Sequence, residues 1–249
     1  MSSILQGKVA VILGGTGGIG VATAQRFAAA GATVVVCGQS DIQKAQRVVE
    51  SLPGLGHVAK QVTITDSDSL AALADEVRST FGRADILVNT AGFTKPVKHG
   101  DLDALTDELI DEIMKVNWRA QFAAIRAFRT LLDESGAGLV VNVSSISATT
   151  GVGSNIAYCA AKAGLDIMAA SLGRALAPRI RVLNVSPGVV DTSFVPGRGV
   201  DFNDKVAATT PLGRIGTPDD IADAIEACAT HLKFSTGVTI VVDGGRRLG

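Results

Sequence analysis

Val9–Leu13 is a short apolar run of strand length, and it opens directly into Gly14-Gly15-Thr16-Gly17-Gly18-Ile19-Gly20. A helical pattern marked by Ala22, Arg26, Phe27 and Ala30 follows at once. Strand, glycine turn and helix in immediate succession point to an α/β architecture. Glycine lets the backbone turn sharply or come close to a ligand. Amides at the helix start, aided by the helix dipole, would hold a pyrophosphate. Gly14, Thr16, Gly17, Gly18, Ile19 and Gly20 are therefore the first candidate binding residues.

The alternation runs to the end of the chain. Further strands are predicted at Thr33–Cys37, Val58–Ile64, Asp85–Val88, Leu139–Val143, Ile180–Val185 and Thr239–Val242. Helices are predicted at Asp66–Phe81, with Leu70, Leu73, Ala74 and Val77 inward, and at Leu105–Phe128, Ser154–Pro178 and Pro218–Cys228. Pro178 stops the third of these. Asn117, inside the second, either faces solvent or marks a kink that frees a carbonyl for water. Gly197–Leu212 is polar and without clear periodicity, so residues 193–212 read as a mobile lid. A chain of 249 residues with no linker-like stretch is predicted to form one domain, residues 1–249. Right-handed crossovers limit it to a doubly wound parallel sheet of about seven strands, with helices on both faces. Ligands in such sheets bind beyond the carboxyl ends of the strands. Gly14, Gly38, Asn89, Ser145 and Pro187 stand at those ends and should face one crevice.

Composition narrows the function. Forty-seven per cent hydrophobic residues exclude disorder, and a net charge of −1 argues against a nucleic-acid partner. No apolar run approaches the ~20 residues that cross a bilayer, and Met1–Gln6 is too short for a signal peptide. Cys37, Cys159 and Cys228 are odd in number and lack metal-ligand spacing, so they read as reduced core thiols of a cytoplasmic protein. His57, His99 and His231 are isolated, and no metal site is predicted.

The second strand ends at Gly38-Gln39-Ser40-Asp41, where a dinucleotide fold reads the adenosine ribose. An acid there would favour NAD. Gln39 and Ser40 are neutral, and Asp41 is placed to cap the next helix. The reading tilts to NADP, with NAD the alternative. Tyr158 and Lys162, four residues apart, share one helix face. A phenol titrates near pH ~10, and an ammonium beside it favours the phenolate.

With these motifs in order, the chain resembles the short-chain dehydrogenase/reductase family over nearly its whole length. The glycine motif appears as Leu13-Gly14-x3-Gly18-Ile19-Gly20, and the Asn-Asn-Ala-Gly motif as Asn89-Thr90-Ala91-Gly92. Ser145 precedes Tyr158 at the family's spacing, Tyr158-x3-Lys162 is intact, Asn117 takes the helix-asparagine position, and Pro187-Gly188-x3-Thr192 matches the nicotinamide loop. Leu13 and Thr90 depart from the pattern, as does Thr63, where many members carry an aspartate for the adenine. The resemblance implies a Rossmann-type fold and hydride transfer between NADP(H) or NAD(H) and a ketone/secondary alcohol pair. It implies Ser145, Tyr158, Lys162 and Asn117 as catalytic residues, with Ser144 structural. It adds Thr63, Ile64, Asn89, Ala91, Gly92, Pro187, Gly188, Val190 and Thr192, with Tyr158 and Lys162, to the cofactor contacts.

Substrate contacts would come from Ser147–Gly153, Phe93–His99 and Phe194–Phe202. Lys95, Lys98 and Arg198 would meet a carboxylate or phosphate there, or are ordinary solvated charge. A small free carbonyl compound is the first expectation. A 3-oxoacyl carrier-protein substrate comes second, because Asp133-Glu134 would repel an acidic carrier, with Arg126, Arg129 and Arg179 compensating only in part. A non-catalytic dinucleotide sensor on the same fold is the third. The family's habit implies a homotetramer, otherwise a homodimer, through 105–132 and 156–176. Trp118, Phe122 and Phe128 would be interface or core, and Arg246–Gly249 would lie near a subunit contact.

Overall fold

The structure is a computed structural model that describes residues 4–197 and 201–249. Seven parallel strands form its centre: β1 (Val9–Leu13), β2 (Thr33–Gly38), β3 (Val58–Gln61), β4 (Ile86–Asn89), β5 (Gly138–Val143), β6 (Ile180–Pro187) and β7 (Thr239–Val242). Their order across the sheet is β3-β2-β1-β4-β5-β6-β7. The direction of travel reverses at β1, so the crevice opens between the ends of β1 and β4. Strands β1 and β5 are buried along their whole length, as helices on both faces require.

Nine α-helices connect and cover the strands among the described residues: α1 (Gly18–Ala29), α2 (Ile42–Ser51), α3 (Ser67–Phe81), α4 (Asp107–Met114), α5 (Ala120–Glu134), α6 (Ser147–Thr150), α7 (Ile156–Leu176), α8 (Phe202–Ala208) and α9 (Pro218–Thr230). One core layer joins Leu70, Leu73, Phe128, Leu132 and Leu165 of α3, α5 and α7 to the sheet. The other joins Phe27, Val48, Ile221 and Ile225 of α1, α2 and α9 to its opposite face. Arg26 pairs with Asp219 and Asp223 where α1 meets α9.

Local chemistry sets the helix ends. Asp41 accepts from the Lys44 amide at 3.1 Å and Asp66 from the Asp68 amide at 2.9 Å, each capping the helix that follows. Thr217 and Asp220 form a reciprocal capping box at α9. Asp85 ties the start of β1 to the start of β4. It accepts from the Val9 amide at 3.0 Å, Lys8 Nζ at 3.0 Å and Arg83 Nε at 2.8 Å. Burial pushes its carboxyl up, but these donors outweigh burial and hold it below the ordinary value.

Several expectations are corrected. The predicted helix Leu105–Phe128 begins at Asp107 and runs on to Glu134, but it is not α-helical throughout: a π-helical turn at Lys115–Arg119 joins α4 to α5. Asn117 lies in that turn and is fully buried, not solvent-facing. The third strand stops at Gln61 rather than Ile64, because Thr63 already turns the chain into the Asp66 cap. Residues 202–208 of the predicted irregular lid are helical. Residues 198–200 of that lid, with Arg198, lie outside the described residues.

Candidate active site

The carboxyl ends of β1, β4, β5 and β6 open on a cavity of about 1080 Å³. At one end stands the glycine turn. Gly14 has φ +80°, and a Cβ there would lie 2.6 Å from the Ala91 amide nitrogen, so only glycine fits. A Cβ on Gly20 would collide with the Gly14 carbonyl. The turn therefore folds flat under the start of α1, whose N-cap Gly17 offers no side-chain cap and whose first turn holds no acid. Gly17, Gly18, Ile19 and Gly20 all line the cavity. Uncapped amides at a helix N-terminus, without a competing carboxylate, fit the pyrophosphate of a dinucleotide.

The other wall is built on β5 and α7. Ser144 and Ser145 follow β5 directly. The Ser144 hydroxyl is buried and donates to the Lys162 carbonyl at 3.5 Å, a structural contact. Ser145 lines the cavity; its Oγ accepts from the Ser147 amide at 3.1 Å and donates to Ser147 Oγ at 3.0 Å. Asn155 caps α7, accepting from the Tyr158 amide at 2.7 Å while its Nδ2 donates to the Lys95 carbonyl at 2.8 Å. The cap thus fixes the turn that carries Tyr158 against the loop after β4. Tyr158 and Lys162 both line the cavity, and Lys162 Nζ lies 5.6 Å from the Tyr158 ring centroid. The Lys162 ammonium is buried and donates to the Val143 carbonyl at 2.7 Å. Burial pulls its pKa down to about 8, partly opposed by Asp166.

A buried ladder of amides supports this wall. Asn89, Asn142 and Asn184 are in register on β4, β5 and β6. Asn89 Nδ2 donates to Asn142 Oδ1 at 2.8 Å, and Asn142 Nδ2 to Asn184 Oδ1 at 2.9 Å. Asn184 Nδ2 reaches α7 at Asp166 (2.9 Å) and the Leu165 carbonyl (3.1 Å).

Of the residues singled out from the sequence, Gly14, Gly17, Gly18, Ile19, Gly20, Gly92, Ser145, Tyr158, Lys162, Pro187, Gly188, Val190 and Thr192 line the one cavity. The others do not. Asn89 ends β4 with its side chain in the ladder, not in the crevice as expected. Ala91 is tied by its backbone to Leu13 and Gln121, and Thr16 sits against Gly38. Gln39, Ser40 and Thr63 are exposed at the ends of β2 and β3, Ile64 is buried, and Gly38 is under Thr16. Asn117 lies behind the cavity, its Nδ2 donating to the Phe93 carbonyl at 2.7 Å and the Ile113 carbonyl at 2.9 Å. Lys95 and Lys98 are exposed and outside the lining. Cys37 and Cys228 are buried thiols, whereas Cys159 is partly exposed rather than in the core. Sequence reasoning did not place Thr90 or the two arginines at the site: the Thr90 hydroxyl donates to the Leu13 carbonyl at 2.9 Å beside the cavity, and Arg246 and Arg247, expected near a subunit contact, line the cavity rim. Following the carboxyl end of β7 puts the arginines on the crevice side of the sheet, but nothing in the neighbouring sequence shows that their turn reaches the cavity.

A family model described as Enoyl-(Acyl carrier protein) reductase matches residues 14–247. The chain is 36% identical to cis-4-hydroxycyclohexanecarboxylate dehydrogenase of Sinomonas cyclohexanicum, over 96% of each chain. It is 32% identical to the 3-oxoacyl-[acyl-carrier-protein] reductase of Aquifex aeolicus, over 97% of this chain and 98% of that one. The solved short-chain dehydrogenase/reductase of Serratia marcescens superposes with a TM-score of 0.88 at 31% identity, covering 98% of this chain and 99% of that one. The chain belongs to the short-chain dehydrogenase/reductase family. Members of this family use NAD(H) or NADP(H), in keeping with the open cradle at α1. Among the described residues of this family member, no helix is long and apolar enough to cross a membrane, and no three or more histidine, cysteine, aspartate or glutamate side chains cluster as a metal site would.

Proposed function

We propose that this chain is an oxidoreductase that interconverts a ketone and a secondary alcohol, with a small free carbonyl compound as substrate. The observation that carries the reading is the meeting of Ser145, Tyr158 and Lys162 with the α1 amide cradle on one cavity. A bound nicotinamide dinucleotide supplies or takes up the hydride. Ser145 donates a hydrogen bond to the carbonyl oxygen, which gains negative charge during reduction. Tyr158 delivers its phenolic proton to that oxygen. The Lys162 ammonium stabilises the phenolate left behind and returns a proton to it. The Asn117 amide is spent on Phe93 and Ile113, so its part is to hold the π-helical turn, from which a water relays protons to Lys162. Residues 1–249 act as one domain, with 193–212 as the lid over the substrate.

NADP is the favoured dinucleotide and NAD the alternative. No acid stands at Gln39 or Ser40, and Asp41 is engaged by the Lys44 amide and by Arg47 at 3.6 Å. The cofactor residues proposed beyond the cavity (Gln39, Ser40, Thr63, Ile64) would serve the adenosine end. The protein works in the cytoplasm as a homotetramer, otherwise a homodimer. Phe122 of α5 and Ile167 of α7 are 37% and 70% exposed, which suits helices that pair with another copy.

The carrier-protein reading is second. It gains from the pairing of Asp133 with Arg179 (2.8 Å) and of Glu134 with Arg78 (2.8 Å), which neutralises the acids expected to repel a carrier. The deciding experiment follows NADPH and NADH oxidation with a panel of free ketones and a 3-oxoacyl carrier-protein thioester. Turnover of free ketones, faster with NADPH, is expected. Silence across the panel with tight dinucleotide binding would mark a sensor instead.

A further inference from the structure

We infer that the substrate carries a carboxylate, which Arg246 and Arg247 bind at the rim of the cavity while the carbonyl or carbinol end meets Tyr158. This rests on the oxidoreductase reading of the site and adds a substrate class to it. The charged side chains that line the cavity are Lys162, Arg246 and Arg247, and no aspartate or glutamate lines it among the described residues. Lys162 is buried at the Val143 carbonyl. The two arginines are the cations left to face a ligand.

Their backbone is held in place. Asp243, just after β7, accepts from the Gly245 amide at 2.9 Å and from the Arg247 amide at 3.0 Å, which fixes the turn that presents both side chains. Arg246 also reaches α8 through one guanidinium nitrogen, which donates to Thr209 Oγ1 at 3.0 Å and the Val206 carbonyl at 3.4 Å. Val206 and Thr209 line the same cavity. Elsewhere Arg26, Arg78, Arg83, Arg179 and Arg214 each pair with a carboxylate. Neither Arg246 nor Arg247 forms an ion pair with a carboxylate among the described residues. Two uncompensated guanidinium groups at a cavity mouth form a fork suited to a planar carboxylate.

The phosphates of the dinucleotide are a poor alternative ligand. β7 stands four strand spacings from β1 in the sheet, on the order of 19 Å from the strand that feeds the glycine turn. Thr149, Thr150, Val152, Phe194 and Phe202 line the same cavity as Tyr158 and the arginines, so it offers apolar and hydroxyl-bearing walls to the body of a substrate.

The test compares acids with their own methyl esters, which change charge while nearly conserving shape. The native protein, saturated with NADPH or NADH, is assayed with 4-oxopentanoate, 4-oxocyclohexanecarboxylate, the two methyl esters and cyclohexanone. The expected kcat/KM for at least one acid exceeds that for its ester by about tenfold, and the preference shrinks as ionic strength rises. Arg246→Gln and Arg247→Gln should each lower the acid-to-ester ratio toward one, and Arg247→Lys should retain part of it. Esters and cyclohexanone reduced as well as both acids would overturn the inference and leave the oxidoreductase reading standing. So would a ratio unmoved in both glutamine variants, or a carrier-protein thioester turned over faster than every free acid. Inertness toward every carbonyl in the set would sink the oxidoreductase reading itself.

Discussion

Lys162 is costly to the fold at neutral pH. Its ordinary pKa is 10.5, and burial brings the folded value down to about 8. Below pH 8 both states carry the proton, and the native state bears the full penalty of a buried ammonium. Between pH 8 and 10.5 the unfolded chain binds a proton that the folded chain has released, so stability rises with pH across that window. The gap between 10.5 and about 8 is worth roughly 3 kcal/mol. Lys162→Met removes that penalty and leaves the Val143 carbonyl unpaired, at a cost of about 1–2 kcal/mol. Its melting temperature at pH 7 should therefore rise by about 2–8 °C while turnover is lost, and a fall would show that the ammonium stabilises the fold. Gly14→Ala should lose dinucleotide affinity by at least tenfold, because its Cβ must displace the Ala91 amide 2.6 Å away; fluorescence titration with NADPH would check it. At this scale Ser145, Tyr158 and Lys162 were legible because their spacing survives in one dimension. Arg246 and Arg247 were not, since nothing in their neighbours shows that the turn after β7 comes back to Thr209.

Elements were legible in proportion to how strongly their pattern repeats. The strands announced themselves as apolar runs, since burial on both faces demands them. The interruption between α4 and α5 was hidden because a π-helical turn adds one residue and only shifts the phase of the apolar stripe. Asn117, an unfavourable helix residue, was its one sign. α8 was missed because Phe202–Ala208 is two turns long and shows one buried residue, Val206, which is too short for a periodic signal. The asparagine ladder could not be read from any single strand. It exists because register aligns Asn89, Asn142 and Asn184. Asn142 is its middle rung, so Asn142→Leu should cost about 2–4 kcal/mol by stranding the buried Asn89 amide and the Asn184 carbonyl. Urea denaturation would measure it, and a loss below 1 kcal/mol would mean the ladder rearranges freely.

For the whole molecule, the doubly wound parallel sheet followed from the alternation of strands and helices and the handedness of crossovers, both properties of the sequence pattern, although the order of the strands within it was not read. The crevice at the strand ends followed as well, since Gly14, Ser145 and Pro187 all line it, but the share of 246–249 did not, because that segment joins the cavity only after the sheet is assembled. The exposed surface was equally opaque. Periodicity could not sort Trp118, Phe122 and Phe128, whereas the structure buries Phe128, half-buries Trp118 and leaves Phe122 37% exposed, stacked on Trp118 at 6.3 Å. Placing charges there, as Phe122→Asp with Ile167→Asp, should shift the proposed tetramer to smaller species in size-exclusion chromatography with light scattering. A native protein that elutes as a monomer would refute the assembly. The most direct probe of the proposed chemistry is steady-state ketone reduction by Tyr158→Phe, measured beside NADPH titration of the same protein. Turnover should fall by about a thousandfold or more while the dinucleotide still binds; near-native turnover in that variant would contradict the assignment of Tyr158 as the proton donor.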